Sequence, residues 1–198
     1  MNRSPRQANS LRNMMHWAKF GVFTAMTLWV APIDGVATAP TTAPSTLPAT
    51  APSVRSFKDP AGLVRIDYPA GWHLDPDPDY VLSLASGSGT FTLDIPDLPP
   101  HIPDMIPLGL VVNGYINDLK KSHPGVKVSD ETSPAIPKAK SRSLHSSWSE
   151  KDIATVEIAT LVVHGDHVFI LRIVAPADQL AAARSPFNGI IHSLRWLK

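Results

Sequence analysis

The chain has no cysteine. Disulfides, thiol catalysis, thiolate metal sites and lipid attachment through a cysteine are therefore excluded. A chain without disulfides has to rest on its hydrophobic core, and a domain of ordinary size can bury enough apolar surface to do so. No Gly-rich phosphate loop ending in Lys-Ser/Thr and no dinucleotide fingerprint is present. The Gly-x-Ser-x-Gly nucleophile elbow is also missing. In Ser86-Gly-Ser-Gly89 a serine stands where the first glycine belongs, and the motif falls between two strands rather than before a helix. Nor does any apolar run reach the ~20 residues that a spanning helix needs.

What is present begins with a basic start. Arg3, Arg6, Arg12 and Lys19 come without an acid, and the apolar run Phe20–Val30 follows them. Pro32 and the small residues Gly35, Ala37 and Ala39 come next. This order predicts a secretory signal peptide over residues 1–39, with cleavage after Ala37 or Ala39; the alternative is an uncleaved membrane anchor. The leader holds four of the basic residues and one acid, so the chain beyond it keeps 14 basic and 16 acidic groups, a net charge of −2. The basic character of the whole chain is largely the leader's, and the remainder has no cationic excess to attract a phosphate backbone. Nucleic acid is not an expected partner.

Residues 40–53 are rich in Pro, Thr, Ala and Ser, with almost nothing to bury. They read as an extended spacer or an O-glycosylated stalk. The folded domain is expected over 54–198. Val64, Ile66 and Tyr68 alternate with Arg65 and Asp67, the period of a half-buried strand. Tyr80–Ala85 and Thr90–Ile95 form a hairpin around Ser86–Gly89, and Pro96–Pro107 is a proline-rich loop. Leu108, Val111, Val112, Tyr115, Ile116 and Leu119 make one face of a helix, with Asp104 or a neighbour as its cap and Ser122-His-Pro-Gly125 as its stop. Gly109 and Gly114 cost that helix about 1 kcal/mol each against alanine, so close approach to the sheet is expected there. Four strands follow, over Lys127–Glu131, Ser141–Ser149, Ile153–Val163 and Val168–Ala175. Gly165-Asp166 is a two-residue turn of the primed type. Phe187, Ile190, Ile191 and Leu194 mark a last helix, with Ser185 as its N-cap and Pro186 at its first position. The fold class is α+β, a central antiparallel sheet with helices packed on it.

Two stretches carry a family resemblance. Leu63–Trp72 (LVRIDYPAGW) is similar to the strand and aromatic-Pro-x-Gly-Trp opening of PsbP-like domains. Val162–Pro176 resembles the family's last hairpin, and Phe187–Trp196 its closing helix. The resemblance spans roughly residues 56–197. It implies an α/β/α sandwich and usually no enzyme activity, with members acting as accessory or binding proteins; no cofactor is expected. It carries over no functional residue, because the matching positions are architectural.

Several constellations bear on chemistry. His164-Gly-Asp-His167 places two imidazoles opposite each other across a hairpin tip, with Cβ atoms ~5 Å apart. His164 and His167, with Asp166 as a third ligand, are the candidate metal set; His145 is the one further histidine considered, and the alternative is two solvated histidines. Asp75-Pro-Asp-Pro-Asp79 begins like a calcium loop, but Tyr80 and Ser86 occupy the positions of the required Gly and Glu, so a solvated turn is expected. Trp72 is read as a core plug. Trp148, in a polar strand, is the candidate exposed aromatic for a ligand or partner. Arg172 is expected at the sheet rim with its stem packed, or lining a pocket. The expected function is a non-catalytic binding or accessory protein of the cell envelope, extracytoplasmic after loss of the leader, whose partner is another envelope protein or a small ligand. The alternatives are a hydrolase or other enzyme whose site assembles from distant positions, and a metal-binding protein using the His164/His167 tip.

Overall fold

In the computed structural model, residues 53–97, 107–150 and 152–197 are described. The signal segment, nearly all of the spacer and Asp104 lie outside the described residues. The element order is β1 (Val54–Lys58), β2 (Val64–Pro69), β3 (His73–Leu74), β4 (Leu82–Ser86), β5 (Gly89–Asp94), α1 (Leu108–Ser122), β6 (Lys127–Glu131), β7 (Lys140–Glu150), β8 (Ile153–His164), β9 (His167–Pro176), α2 (Leu180–Ser193) and β10 (Arg195–Trp196). A seven-stranded antiparallel sheet runs β3-β4-β5-β9-β8-β7-β6, and a small sheet runs β1-β2-β10. Helix α1 packs on one face of the large sheet. Helix α2 packs on the other, between that sheet and the small one. The helix-on-both-faces α+β architecture is the expected one. The second sheet was not foreseen, because β10 is a two-residue strand with no periodicity to read.

The face under α2 carries the main core. Phe91 and Leu93 of β5, Phe169, Leu171 and Ile173 of β9, and Ile158 and Val162 of β8 point there, as alternation along each strand requires. Phe187, Ile190 and Ile191 of α2 meet them, and Val64, Ile66 and Trp72 close the far side. Trp72 is buried, so the Pro-Ala-Gly-Trp turn plugs the core as expected. Ser193 Oγ accepts the Asp67 N–H at 2.8 Å and its hydroxyl donates to the Ile190 carbonyl at 2.7 Å, tying the end of α2 to β2. Gly89 starts β5 where a Cβ would stand 2.7 Å from the Val174 carbonyl oxygen, so no larger residue fits that approach.

Two local expectations are corrected. Helix α2 begins at Leu180 rather than at Pro186, and Pro186 lies inside it. The run Leu180-Ala-Ala-Ala has high helix propensity, enough to open the helix more than a turn before the proline. The proline then costs one backbone bond within a helix that Phe187, Ile190 and Ile191 anchor to the core. Gly109 and Gly114 do not bring α1 close to the sheet. Both are exposed, and a Cβ at either would meet nothing within 4 Å. The buried side of α1 is Val112, Tyr115 and Leu119.

Candidate functional site

The α1 face of the sheet is chemically unlike the other. Its apolar part is small: Leu144 of β7 and Ala159 and Leu161 of β8 against Val112, Tyr115 and Leu119. Alternation puts Glu157 on the same face as Ala159 and Leu161, and Arg172 on the same face as Ile170. Arg172 is the register partner of both Thr92 and Ala159, and Glu157 is the register partner of Ser146. A carboxylate and a guanidinium therefore meet diagonally on adjacent central strands, roofed by α1.

Glu157 is 2 % exposed and Arg172 3 %. The Tyr115 hydroxyl donates to Glu157 Oε1 at 2.6 Å. The Arg172 guanidinium carbon lies 4.9 Å from the centre of the Tyr80 ring, within cation–π range. Burial pushes the Glu157 carboxyl above the ordinary carboxylate range; Arg172 and the Tyr115 hydrogen bond pull it back without cancelling the effect. Burial also drives the Tyr115 phenol well above its usual value, reinforced by the Glu157 charge. For Arg172, burial works against the charge, but Tyr115, Glu157 and Tyr80 outweigh it and keep the guanidinium protonated. Asp94, at the end of β5, is raised by burial and partly restored by Arg172. The result is a buried polar cluster of Glu157, Tyr115 and Arg172, with the half-buried Tyr80 against the guanidinium and Asp94 at its border.

Arg172 is thus neither at the rim nor in an open pocket. Strand β9 is central, flanked by β5 and β8, the Tyr80 ring lies against the guanidinium and α1 packs on the neighbouring β7 and β8, so this mid-strand residue is buried. Glu157 was not singled out from the sequence. Its signal was there to read: a carboxylate in the middle of the long β-branched run of β8, where every neighbour is apolar or small and a charge needs a partner.

Two positions along β7 from Ser146, Trp148 is half-buried. Its ring stacks on His123, just past α1, with centroids 4.2 Å apart and planes at 25°. Burial holds His123 below the usual imidazole value. Trp148 is therefore less exposed than expected, because His123 covers one of its faces. The buried Trp148 Nε1 and Ser146 Oγ have no hydrogen-bond partner among the described residues. An open depression of about 310 Å³ lies beside Trp148, lined also by Lys127, Ser147, Ser149, Thr155 and Val156.

The hairpin tip forms as expected: His164 and His167 are register partners across Gly165-Asp166, and Gly165 takes the left-handed conformation (φ 57°). Their rings are engaged separately. His164 Nδ1 lies 2.8 Å from the Lys138 carbonyl oxygen, and its ring stacks on Trp196 at 4.0 Å. His167 Nδ1 contacts Asp166 Oδ1. His145 is on β7 opposite Ile158, away from the tip. Among the described residues no three His, Asp or Glu side chains converge in an arrangement that would hold a metal ion. Asp75–Asp79 is an exposed turn in which Asp77 Oδ1 accepts the Asp79 N–H at 2.9 Å.

Sheet, helices and their order define an α+β domain, a seven-stranded antiparallel sheet with a helix on each face and a small sheet beyond one of them. No protein-family model matches the chain. No curated protein matches it. Solved structures do. A protein of Bacteroides thetaiotaomicron is 15% identical over 72% of this chain and 48% of its own, with a TM-score of 0.50. LpqN, involved in cell envelope biogenesis of Mycobacterium tuberculosis, is 15% identical over 76% of this chain and 88% of its own, with a TM-score of 0.49. Cyanobacterial PsbP (CyanoP) of Synechocystis sp. PCC 6803 is 12% identical over 77% of this chain and 98% of its own, with a TM-score of 0.45. At these identities the likeness is one of fold. Among the described residues no helix is long and apolar enough to cross a membrane.

Proposed function

We propose that this chain is an exported, non-catalytic binding or accessory protein of the cell envelope, and that it meets another envelope protein or a small ligand at the depression beside Trp148. The observation that carries this reading is the separation of reactive from accessible groups. The acid with a raised pKa, Glu157, is sealed under α1 with Tyr115 and Arg172, whereas an enzyme's general acid or base must reach its substrate. The accessible concavity is shallow, and it offers an aromatic edge, serine and threonine hydroxyls and one lysine. Such a lining suits recognition. Export rests on the basic and apolar leader.

The test is site-specific photocrosslinking in intact cells. A crosslinker at Ser149, on the rim of the depression, is expected to give a discrete adduct in the envelope fraction, lost in the Trp148→Ala background. One at the exposed Arg195 is expected to give none. Turnover of an ester or peptide substrate that Glu157→Gln abolishes would replace this reading with the hydrolase.

A further inference from the structure

Among the described residues, strand β6 ends the seven-stranded sheet and pairs only with β7. Among the described residues, no backbone group of Lys127–Glu131 bonds outward. An edge of this kind is a template for another strand unless its side chains forbid it. Lys127, Ser129 and Asp130 are exposed, and Val128 and Glu131 half-buried. The order Lys-Val-Ser-Asp-Glu is charge-complementary to its own reverse at the outer positions.

The geometry points to an antiparallel homodimer in which β6 of two copies pairs about a two-fold axis through Ser129, making one continuous sheet. In that register Lys127 stands opposite the partner's Glu131, and Glu131 opposite the partner's Lys127. Directly opposed Cβ atoms in such a ladder are about 4.5–5.5 Å apart, close enough for both ion pairs. Val128 faces the partner's Asp130. The two Asp130 carboxylates stand diagonally, ~7–8 Å apart, and each already accepts two hydrogen bonds from its own Arg142 at 2.9 Å. Glu131 keeps its bond to Arg184 (3.1 Å), so the partner's lysine completes a Lys–Glu–Arg arrangement.

The same charges reject the neighbouring solutions. Sliding one copy by two residues in one direction opposes Asp130 to the partner's Asp130. Sliding in the other direction leaves both lysines facing Ser129 and both Glu131 side chains without a partner. Parallel pairing sets like against like throughout. A second copy is therefore the occupant that the edge itself specifies, and the two-fold is the closed symmetry commonest in oligomers. Five residues a side is a small contact, well below a standard interface, so the dimer is a weak one with a Kd on the order of 10⁻⁵–10⁻³ M.

Sedimentation velocity of the full chain across concentration tests this. The expected result is a reversible monomer–dimer equilibrium that Lys127→Glu and Glu131→Lys each weaken by about tenfold, with each variant's circular dichroism unchanged. Because the register is reciprocal, an equimolar mixture of the two variants is expected to dimerise more tightly than either alone, at about the unaltered strength. Three results would overturn the proposal. One is a chain that stays monomeric up to about 1 mM, which hands the edge to solvent or to an extended segment of another protein. The second is a dimer indifferent to both substitutions, and the third is a mixture no tighter than its components.

Discussion

The two faces of the large sheet are built on different principles. Under α2, three phenylalanines (Phe91, Phe169 and Phe187) and a dense set of aliphatic side chains interlock, and polar atoms take little part. Under α1, the apolar contact is a small cluster, and the middle of the face belongs to Glu157, Arg172 and Tyr115. The first face earns its stability from area removed from water, at roughly 25 cal/mol per Å². The second contains a charge pair whose desolvation cost offsets much of its mutual attraction, so it adds little net stability while fixing where α1 can sit. The difference suggests a division of labour, with a rigid half that holds the fold and a half whose roof rests on a few specific polar contacts.

The largest expected effect breaks the apolar face. Phe187→Ala removes a fully buried ring that meets Phe91 at a centroid distance of 6.1 Å, and it is expected to cost about 3–5 kcal/mol in urea unfolding. A loss under 1 kcal/mol would mean that the α2 face is not the stabilising half. The middle effect probes the polar face. Tyr115→Phe keeps the ring packed against Leu119 and Val112 but deletes the hydroxyl on Glu157. About 1–3 kcal/mol is expected to be lost, as for any buried acceptor left unmet. Amide exchange in α1 should rise more than in α2, and equal changes in the two helices would erase the contrast. The smallest effect has the opposite sign. Gly114→Ala adds a methyl to the outer side of α1, where nothing lies within 4 Å. It is expected to stabilise the protein by about 0.5–1 kcal/mol. Destabilisation would reveal a contact on that side.

The sequence exposed the fold unevenly, for physical reasons. Strands β7, β8 and β9 were legible almost to the residue. Two of them are long, β-branched and joined by Gly165-Asp166, whose turn chemistry fixes the register. Strand β6 was read at its observed bounds, since Gly125 and Pro134 punctuate it. Helix α2 was begun too late, because Ser185-Pro186 imitates a helix start so well that the alanines before it were passed over. The small sheet was missed, because β10 is defined by pairing with Val64 and Arg65 from the far end of the domain rather than by any pattern of its own.

The site was less legible than the fold. Arg172 was noticed because a charge stands out in an apolar strand, but its place at the sheet's centre depends on strand order, which linear sequence does not contain. Glu157 and Tyr115 lie 42 residues apart and are joined by a single hydrogen bond. Tyr115 looked like one more member of an apolar helix face. The stack of His123 on Trp148 likewise arises from where α1 happens to end. The histidine tip shows the converse. His164 and His167 came out opposite each other, as the turn dictates, but the partners that occupy their rings, Lys138 and Asp166, are a matter of loop packing for the first and of rotamer for the second.

Glu157 is a buried structural acid on which desolvation outweighs the pull of its cationic neighbour Arg172. For a carboxyl whose folded pKa is raised, ionisation costs the fold: stability is greatest below the unfolded value near 4.5 and declines as pH rises through the folded value. The most direct measurement is the carboxyl ¹³C titration of Glu157 in the folded protein, assigned by comparison with Glu157→Gln. The expected midpoint lies above 4.5 and moves higher still in Tyr115→Phe, because the lost hydrogen bond favoured the carboxylate. A midpoint below 4.5 would contradict it, showing Arg172 in control and Glu157 an ordinary salt-bridged carboxylate.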